Sequence, residues 1–113
     1  MTCIFCKIIS GEIPAHKIFE NDNFIAFHDL YPKAPAHVLL IPKKHIESLA
    51  HLQAEDISLM GEMTLLIKDI AKNLKLHDGF KVHVHSGKGG GQEVFHLHYH
   101  IMGVPIDTSQ PKS

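Results

Sequence analysis

Three histidines alternate with apolar or aromatic residues near the end of the chain, at His96, His98 and His100. Two further histidines, His83 and His85, show the same spacing of two earlier in the sequence. An imidazole can attack an electrophile, transfer a proton near neutral pH or bind a transition metal. A merely solvated strand face does not require three histidines in alternate positions. The pattern therefore predicts a site built from imidazole groups.

A run of glycines stands before the last three histidines, in the segment GKGGGQ at residues 87–92. Consecutive glycines let the backbone approach a ligand closely, and successive N–H groups can form an anion-binding nest. The segment is not a Walker A loop, because Lys88 is followed by glycine and a predicted strand comes next. Two chemistries remain open: nucleophilic catalysis by histidine on a bound phosphate, and a zinc ion on the three alternating histidines. The glycines favour the phosphate, although they would equally suit a plain hairpin turn.

The segment EVFHLHYHIM at residues 93–102 has the composition of a strand, and so does FKVHVHS at residues 80–86. Side chains alternate between the two faces of a strand. Val94 and the three histidines would therefore share one face, with the imidazoles about 7 Å apart. The opposite face would place four residues in the core: Phe95, Leu97, Tyr99 and Ile101.

Turn residues and periodicity predict the remaining elements. A short helix is expected at residues 3–10 and a long one at residues 54–76, ended by Asp78-Gly79. The long helix is predicted to be buried along Ile57, Met60, Thr64, Ile67, Ala71 and Leu74. Further strands are predicted at residues 17–21, 24–30 and 37–42, and the last is apolar enough to be buried on both faces.

These elements predict an α+β fold with a mostly antiparallel sheet. A chain of 113 residues is expected to form a single domain over residues 1–113. Its core is expected at about residues 3–104, with a tail at residues 105–113 whose last part, DTSQPKS, is predicted to be disordered.

Charge and hydropathy argue against nucleic acid and membrane as binding partners. The net charge of −1 gives no basic surface for nucleic acid. No apolar run approaches the roughly 20 residues of a membrane span, and the first residues lack the apolar region of a signal peptide. We therefore expect a cytoplasmic protein that binds neither nucleic acid nor membrane. In a reducing compartment, Cys3 and Cys6 predict a metal or redox pair rather than a disulfide.

The sequence resembles the histidine triad (HIT) superfamily, and within it the Hint branch of histidine triad nucleotide-binding proteins. HLHYH followed by Ile-Met-Gly is similar to the superfamily signature, in which three histidines alternate with apolar residues. The blocks CIFCKIISGEIPAHKIFEND, AFHDLYPKAPAHVLLIPKKHI and GGQEVFHLHYHIMG extend the similarity over nearly all of residues 3–103. The resemblance implies a five-stranded antiparallel sheet, one long helix, a short N-terminal helix, and a homodimer with a ten-stranded sheet.

The same resemblance implies hydrolysis of purine nucleoside 5′-phosphoramidates, in which adenosine or guanosine monophosphate is joined to an amine or a lysine. His98 would attack the α-phosphorus and form a nucleotidyl-histidine, with no cofactor needed for catalysis. His100 would stabilise the transferring oxygens or the leaving group, His37 would support the catalytic imidazole from an adjacent strand, and His96 would complete the catalytic set. The alternatives are a nucleotide-binding scaffold with vestigial hydrolysis and a dinucleoside polyphosphate hydrolase.

A nucleotide pocket is also implied. Asp29 would accept hydrogen bonds from the ribose hydroxyls, although a carboxylate before a proline equally suits a turn. The purine would contact residues that equally suit a core: Ile4, Phe5, Ile8, Ile13, Phe27, His28 and Leu30. Backbone amides around Gly91, Gln92 and Val94 would hold the phosphate. Beside it would lie His85, where many relatives carry Asn, and Glu93, where some carry Ser.

Some bacterial relatives with C-x-x-C near the start bind zinc, which implies a second site. In this chain its ligands would be Cys3, Cys6, His45 and His96. Two thiolates and two imidazoles make a closed tetrahedral site, which is structural rather than catalytic. The alternative is a reduced cysteine pair at the edge of the first helix, with His45 on the surface.

Overall fold

A five-stranded antiparallel sheet forms the frame of the protein, for which the computed structural model describes residues 3–106. Its strands are β1 (Lys17–Glu20), β2 (Phe24–His28), β3 (Ala36–Pro42), β4 (Lys81–His83) and β5 (Tyr99–Gly103). They lie in the order β1-β2-β3-β5-β4, and every neighbouring pair is antiparallel. The predicted α+β fold with five antiparallel strands is confirmed.

Two helices complete the fold, α1 (Ile4–Ser10) and α2 (Ile57–Asn73). They pack on opposite faces of the sheet. Alternate residues of β3 point to opposite faces and therefore belong to two separate apolar clusters, one with each helix. Val38 and Leu40 pack on the α2 side, whereas Leu39 and Ile41 pack on the α1 side. All seven residues of β3 are buried, as the apolar run at residues 37–42 predicts.

The short helix α1 is capped at both ends. The Sγ atom of Cys3 accepts a hydrogen bond from the Cys6 amide at 3.4 Å. Gly11 ends the helix in the left-handed region, at a φ of 86°, where a residue without Cβ is favoured. The predicted helix is therefore present, and its first turn places the two cysteines side by side.

The buried face of α2 differs from the predicted one. Ile57 is 73 % exposed and Thr64 is also exposed, whereas Met63 and Ile70, which were not predicted, are buried. Four predicted positions do pack on the sheet: Met60, Ile67, Ala71 and Leu74. The apolar residues of this helix cover more than one stripe, so periodicity alone did not select the stripe that meets β3.

The end of α2 also differs, because the helix stops before Asp78-Gly79. Lys75 adopts the left-handed conformation at a φ of 62°. The amide of Lys75 donates to the carbonyl of Lys72 at 3.0 Å, and the amide of Leu76 donates to that of Ala71 at 2.9 Å. These are the hydrogen bonds of a Schellman motif, which normally has glycine at the left-handed position. A lysine there gives no sequence signal for the helix end.

The two histidine-bearing strands are shorter than predicted. β4 covers Lys81–His83 rather than residues 80–86, and β5 covers Tyr99–Gly103 rather than residues 93–102. The amide of Leu97 donates to the carbonyl of Ile46 at 2.7 Å, so the chain before β5 follows a neighbouring loop instead of the sheet. Phe95 is consequently 43 % exposed rather than part of the core, whereas Leu97 is buried as expected.

Neither helix within residues 3–106 is both long and apolar enough to cross a lipid bilayer. The tail predicted to be disordered, residues 107–113, lies outside the described residues.

Candidate active site

A cavity of about 500 Å³ opens on the face of the sheet that α1 covers. Its walls come from α1, from the end of β2 with the loop that follows, and from the glycine segment with the start of β5. These elements bring most of the predicted site residues to one surface: Ile4, Phe5, Ile8, Ile13, Phe27, His28, Asp29, Leu30, His85, Gly91, Glu93, Val94, His98 and His100. The volume lies in the range of pockets that bind small organic ligands.

His98 lies in the wall of this cavity with one ring nitrogen fixed. Its Nδ1 is 2.7 Å from the backbone carbonyl of His96. A carbonyl only accepts, so we assign the proton to Nδ1 and the free lone pair to Nε2. Burial lowers the pKa of His98, an effect opposed in part by that hydrogen bond. The neutral ring therefore keeps Nε2 available as a nucleophile.

His37 and His100 form a hydrogen-bonded pair at the side of the cavity. The Lys33 amide donates to Nδ1 of His37 at 3.0 Å, so the His37 proton is assigned to Nε2. That Nε2 lies 2.9 Å from Nδ1 of His100 and 3.4 Å from Oδ2 of Asp29. His100 consequently carries its own proton on Nε2. The resemblance implied that His37 supports the catalytic imidazole of His98, but His37 hydrogen-bonds His100 instead. The ring centroid of His100 lies 4.9 Å from that of His98.

Burial controls the ionisation of this pair. It is the largest cause lowering the pKa of His37, and Asp29 opposes it only partly. Burial, followed by the neighbouring imidazoles of His98, His37 and His85, lowers the pKa of His100 to about 4. Both rings are therefore neutral at pH 7 and act there as hydrogen-bond donors rather than as cations.

His96 is turned away from the other two histidines of the triad. It is fully buried, and its Nε2 lies 2.7 Å from the carbonyl of Pro42, so Nε2 carries the proton and Nδ1 the lone pair. Burial lowers its pKa to about 4. The predicted row of three imidazoles on one strand face is wrong, because residues 94–98 lie outside β5. The idea of one zinc ion on all three triad histidines fails for the same reason.

The lone pair of His96 faces a cluster of sulfur and nitrogen atoms. Its Nδ1 lies 3.3 Å from Sγ of Cys3, 3.7 Å from Sγ of Cys6 and 3.1 Å from Nδ1 of His45. Cys6 Sγ is also 3.4 Å from His45 Nδ1, and all four donor atoms lie within 4.8 Å of one another. Bonds of about 2.3 Å to sulfur and about 2.0 Å to nitrogen give tetrahedral edges of about 3.3–3.8 Å. The four residues predicted as zinc ligands therefore have a donor set and spacing that fit that ion.

Comparison with known proteins shows the family of this chain. The family described as "Scavenger mRNA decapping enzyme C-term binding" matches residues 2–113. Protein HitA of Neisseria gonorrhoeae is 55 % identical over 104 residues, which cover 92 % of this chain and 97 % of that protein. The chain belongs to the histidine triad (HIT) family.

Solved HIT structures share the fold of this chain. A HIT family hydrolase from Legionella pneumophila superimposes with a TM-score of 0.88 at 42 % identity, covering 90 % of this chain and 92 % of that one. The histidine triad nucleotide-binding protein from Candida albicans has a TM-score of 0.79 at 33 % identity, covering 98 % and 87 %. Both likenesses extend over almost the whole HIT domain.

The glycine segment of this HIT protein is shaped by its own hydrogen bonds. Gly87 and Gly91 have φ angles of 77° and 88°, which glycine adopts without strain. The amide of Gly91 donates to the Lys88 carbonyl and that of Gln92 to the Gly87 carbonyl, both at 3.1 Å. These two amides, predicted to hold phosphate, are therefore already engaged within the loop. Val94 and Glu93 do line the cavity.

Gln92 is buried behind the loop instead of lining the cavity. Its side-chain oxygen accepts from the Gly87 amide at 2.7 Å. Its side-chain nitrogen donates to the carbonyls of Glu47 at 2.7 Å and Val94 at 3.0 Å. The side chain predicted near the phosphate therefore ties the glycine loop to the chain that precedes α2.

Asp29 combines the two interpretations left open by its sequence context. Its Oδ1 accepts from the Tyr31 amide at 2.8 Å, which is turn chemistry. Its Oδ2 faces His37 in the cavity wall. The sequence did not indicate six other residues that line the cavity: Pro14, Ala15, His16, Tyr31, Lys33 and Leu39. His16 lies at the cavity because its backbone carbonyl accepts a hydrogen bond from the His28 amide at 3.0 Å. A backbone pairing of this kind cannot be predicted from the type of either residue.

Proposed function

We propose that this HIT protein hydrolyses purine nucleoside 5′-phosphoramidates, adenosine or guanosine monophosphate joined to an amine or a lysine, through a nucleotidyl-histidine intermediate. The observation that carries the proposal is the hydrogen bond from Nδ1 of His98 to the His96 carbonyl, which leaves Nε2 free in a cavity of nucleotide size. Similarity to a HIT family hydrolase and to a histidine triad nucleotide-binding protein supports it.

The chemistry begins with attack by His98. Its Nε2 lone pair forms a bond to the α-phosphorus as the phosphorus–nitrogen bond to the amine breaks. The Nδ1 proton stays on the ring, and the His96 carbonyl stabilises the positive charge that develops there. Water then attacks the phosphorus, and His98 leaves as the neutral imidazole.

His100 would stabilise the phosphoryl oxygens during both steps. Its Nδ1 accepts from His37, so the Nε2 proton is the one available for a hydrogen bond to a nonbridging oxygen. His37 is in turn held by the Lys33 amide, and its side chain is only 1 % exposed. A donor fixed in this way needs no reorganisation when charge develops, which is the basis of electrostatic catalysis.

The rest of the cavity suits a nucleoside. The α1 side offers an apolar wall with Phe5, whose ring meets that of Phe27 edge to face at 5.6 Å. Asp29 keeps one carboxylate oxygen toward the cavity and His37, where a ribose hydroxyl could donate to it. An apolar slot for a base, with the Asp29 carboxylate for the sugar, supports a nucleotide substrate.

The test compares adenosine phosphoramidate, adenylated lysine and a diadenosine polyphosphate as substrates of wild type and of His98→Asn. We expect the wild type to prefer the phosphoramidates, and the variant to lose about four orders of magnitude in kcat while still binding adenosine monophosphate. His77→Asn, on the exposed surface, is the matched control. Mass spectrometry of quenched wild type should show one nucleotidyl group on His98.

Each alternative function predicts a different outcome of that comparison. Preference for the diadenosine substrate would identify a dinucleoside polyphosphate hydrolase. Tight binding of nucleoside monophosphate without turnover of any substrate would identify a nucleotide-binding scaffold. A His98→Asn variant with near-normal kinetics would rule out the proposed mechanism.

We also propose that Cys3, Cys6, His45 and His96 bind a structural zinc ion. The spacing of their donor atoms supports this, and the Pro42 carbonyl orients His96 with its lone pair toward the thiols. Zinc bound there would cross-link α1 to the chain before β5. Protein purified without chelator should contain about one zinc per chain, and Cys6→Ser should lower both the zinc content and the melting temperature. A zinc content well under one per chain would contradict the proposal.

A homodimer and a cytoplasmic location complete the proposal. β4 is an edge strand, and the exposed apolar residues Phe80 and Val82 lie on or beside it, so a second copy pairing there would extend the sheet to ten strands. Sedimentation should give a dimer, and Val82→Glu should weaken it; a wild-type monomer at micromolar concentrations would exclude it. The free thiols of Cys3 and Cys6 suit a reducing compartment.

A further inference from the structure

The proposed reaction needs a proton for the departing amine, and the buried histidines of the site do not supply one. An alkylamine is a poor leaving group unless its nitrogen is protonated as the bond to phosphorus breaks. His98 uses its Nε2 lone pair in the attack, and its Nδ1 proton is donated to the His96 carbonyl. Burial lowers the pKa of His37 and of His100, so both are neutral at pH 7. A further group must carry the proton.

His85 lies in the cavity at a position from which it can donate a proton to a leaving group. It lies in the wall of the same cavity and is half-buried, so solvent can replenish its proton. Its ring centroid is 5.3 Å from that of His100, on which the ring of His98 also packs at 4.9 Å. His85 also lies against the glycine loop, with Nδ1 4.0 Å from where a Cβ on Gly91 would be.

We propose that His85 is the general acid of this site, donating its imidazolium proton to the amine nitrogen as the phosphorus–nitrogen bond breaks. This inference rests on the proposed phosphoramidate hydrolysis. Displacement at phosphorus places the attacking and leaving atoms roughly in line, on opposite sides of the phosphoryl group. The rings of His98 and His85 both pack against the ring of His100, so a phosphoryl group held by His100 has one imidazole to attack it and a second to protonate the leaving nitrogen.

The protons balance over the two steps. In the first, the phosphorus–nitrogen electron pair goes to the amine nitrogen, which takes the His85 proton and leaves as a neutral amine. His98 is now bonded to phosphorus and positively charged, and His85 is neutral. In the second step neutral His85 takes a proton from the attacking water, the remaining O–H stays on phosphorus, and His98 leaves with its electron pair. His85 is thereby protonated again for the next substrate.

Several titratable groups surround His85. His83 lies on the same edge of the sheet, with its ring centroid 6.3 Å away. The other titratable side chains that line the cavity come from the chain before β1, from the end of β2 and the loop after it, from the glycine segment and from the chain just before and at the start of β5: His16, His28, Asp29, Tyr31, Lys33, Glu93, His98 and His100. His37 of β3 packs against the ring of His100. Of these, Glu93 is the titratable side chain that follows the glycine segment directly, so it needs a test of its own.

The test uses two adenosine monophosphate derivatives that differ in the leaving group, an alkylamine phosphoramidate and a p-nitrophenyl ester. Nitrophenolate leaves without a proton, whereas the alkylamine requires one. We expect His85→Asn to lower kcat for the phosphoramidate about 100-fold and to change kcat for the ester less than about threefold. The decline of wild-type kcat at alkaline pH, where a general acid loses its proton, should disappear for the phosphoramidate.

Controls separate this inference from the proposed function and from a structural effect. His83→Asn makes the same change at the neighbouring histidine, which does not line the cavity. This variant should retain activity on both substrates and the decline of kcat at alkaline pH. His85→Gln replaces His85→Asn if the latter does not fold, as judged by circular dichroism.

Equal losses with both leaving groups, or an alkaline decline that vanishes in Glu93→Gln but persists in His85→Asn, would overturn the assignment of His85. If the ester is not a substrate, the pH profile with the phosphoramidate decides. A wild type that hydrolyses no phosphoramidate would instead overturn the proposed function.

Discussion

The backbone carbonyl of His96 lies 2.7 Å from Nδ1 of His98, while the ring of His96 points away and places its own Nε2 2.7 Å from the Pro42 carbonyl. Two histidines separated by one residue are thereby fixed in opposite tautomers. The free lone pair of His98 belongs to the cavity, and that of His96 faces the cysteine cluster. One short segment thus faces both the cavity and the cysteine cluster.

These tautomer assignments predict the nitrogen NMR signals of the histidine rings in the folded protein at pH 7. His98 should be protonated at Nδ1, which donates to the His96 carbonyl, and His96 at Nε2, which donates to the Pro42 carbonyl. His100 should be protonated at Nε2, because its Nδ1 accepts a hydrogen bond from His37. Two-bond nitrogen–proton spectra of labelled protein distinguish the forms, with a histidine-to-asparagine variant assigning each signal. Finding His98 and His96 in the same tautomer would contradict the structure.

Stability should fall between pH 7 and pH 5 because of His100. Its pKa is about 4 in the folded protein, against about 6.5 for an unfolded chain. The unfolded state therefore binds more protons in this interval, and the stabilisation present above pH 6.5 is lost as the pH falls toward 4. One such group lowers the free energy of unfolding by about 2 kcal/mol at pH 5.

Urea unfolding of wild type and His100→Gln at both pH values measures this contribution. The variant should lose less stability on acidification than the wild type, whereas His77→Gln on the exposed surface should behave like the wild type. Identical pH dependence in wild type and His100→Gln would show that His100 is not buried in neutral form.

Gln92 should matter for folding rather than for phosphate contact. Replacement by Ala removes a buried amide that bonds Gly87, Glu47 and Val94. Buried groups left without partners cost about 1–3 kcal/mol, so Gln92→Ala should lower the free energy of unfolding by about 2–3 kcal/mol. Glu93→Ala, at the next and exposed position, should change it by less than about 0.5 kcal/mol. Equal effects on denaturant unfolding would argue against the structural role.

Lys75→Gly should stabilise the protein. A residue with a Cβ pays roughly 1–2 kcal/mol in the left-handed conformation that Lys75 adopts, and glycine does not. Part of this gain is offset by the greater freedom of glycine in the unfolded chain, so we expect about 0.5–1 kcal/mol. Lys72→Gly, inside the right-handed helix, should instead destabilise by about 1 kcal/mol. Thermal unfolding of both variants checks the sign, and a destabilised Lys75→Gly would contradict the observed helix end.

Local rules anticipated several elements of this HIT protein and misplaced others. The apolar run of β3 and the short helix α1, which ends at Gly11, are local features, because a continuous apolar run and a left-handed glycine act through neighbouring residues. The extent of β5 was misjudged because the composition of residues 93–98 suits a strand, yet the amide of Leu97 bonds a loop far away in sequence. The end of α2 was missed because a lysine occupies a position that usually carries glycine.

The sequence by itself determined the α+β class, the HIT family and many of the residues that line the cavity, since these depend on composition, spacing and motif. Only the tertiary structure decided which ring nitrogen of each histidine has a fixed partner. The proposed roles of nucleophile, donor and metal ligand depend on which ring nitrogen carries the proton. That is set by the carbonyls of His96 and Pro42 and by the Lys33 amide, partners that residue type does not specify.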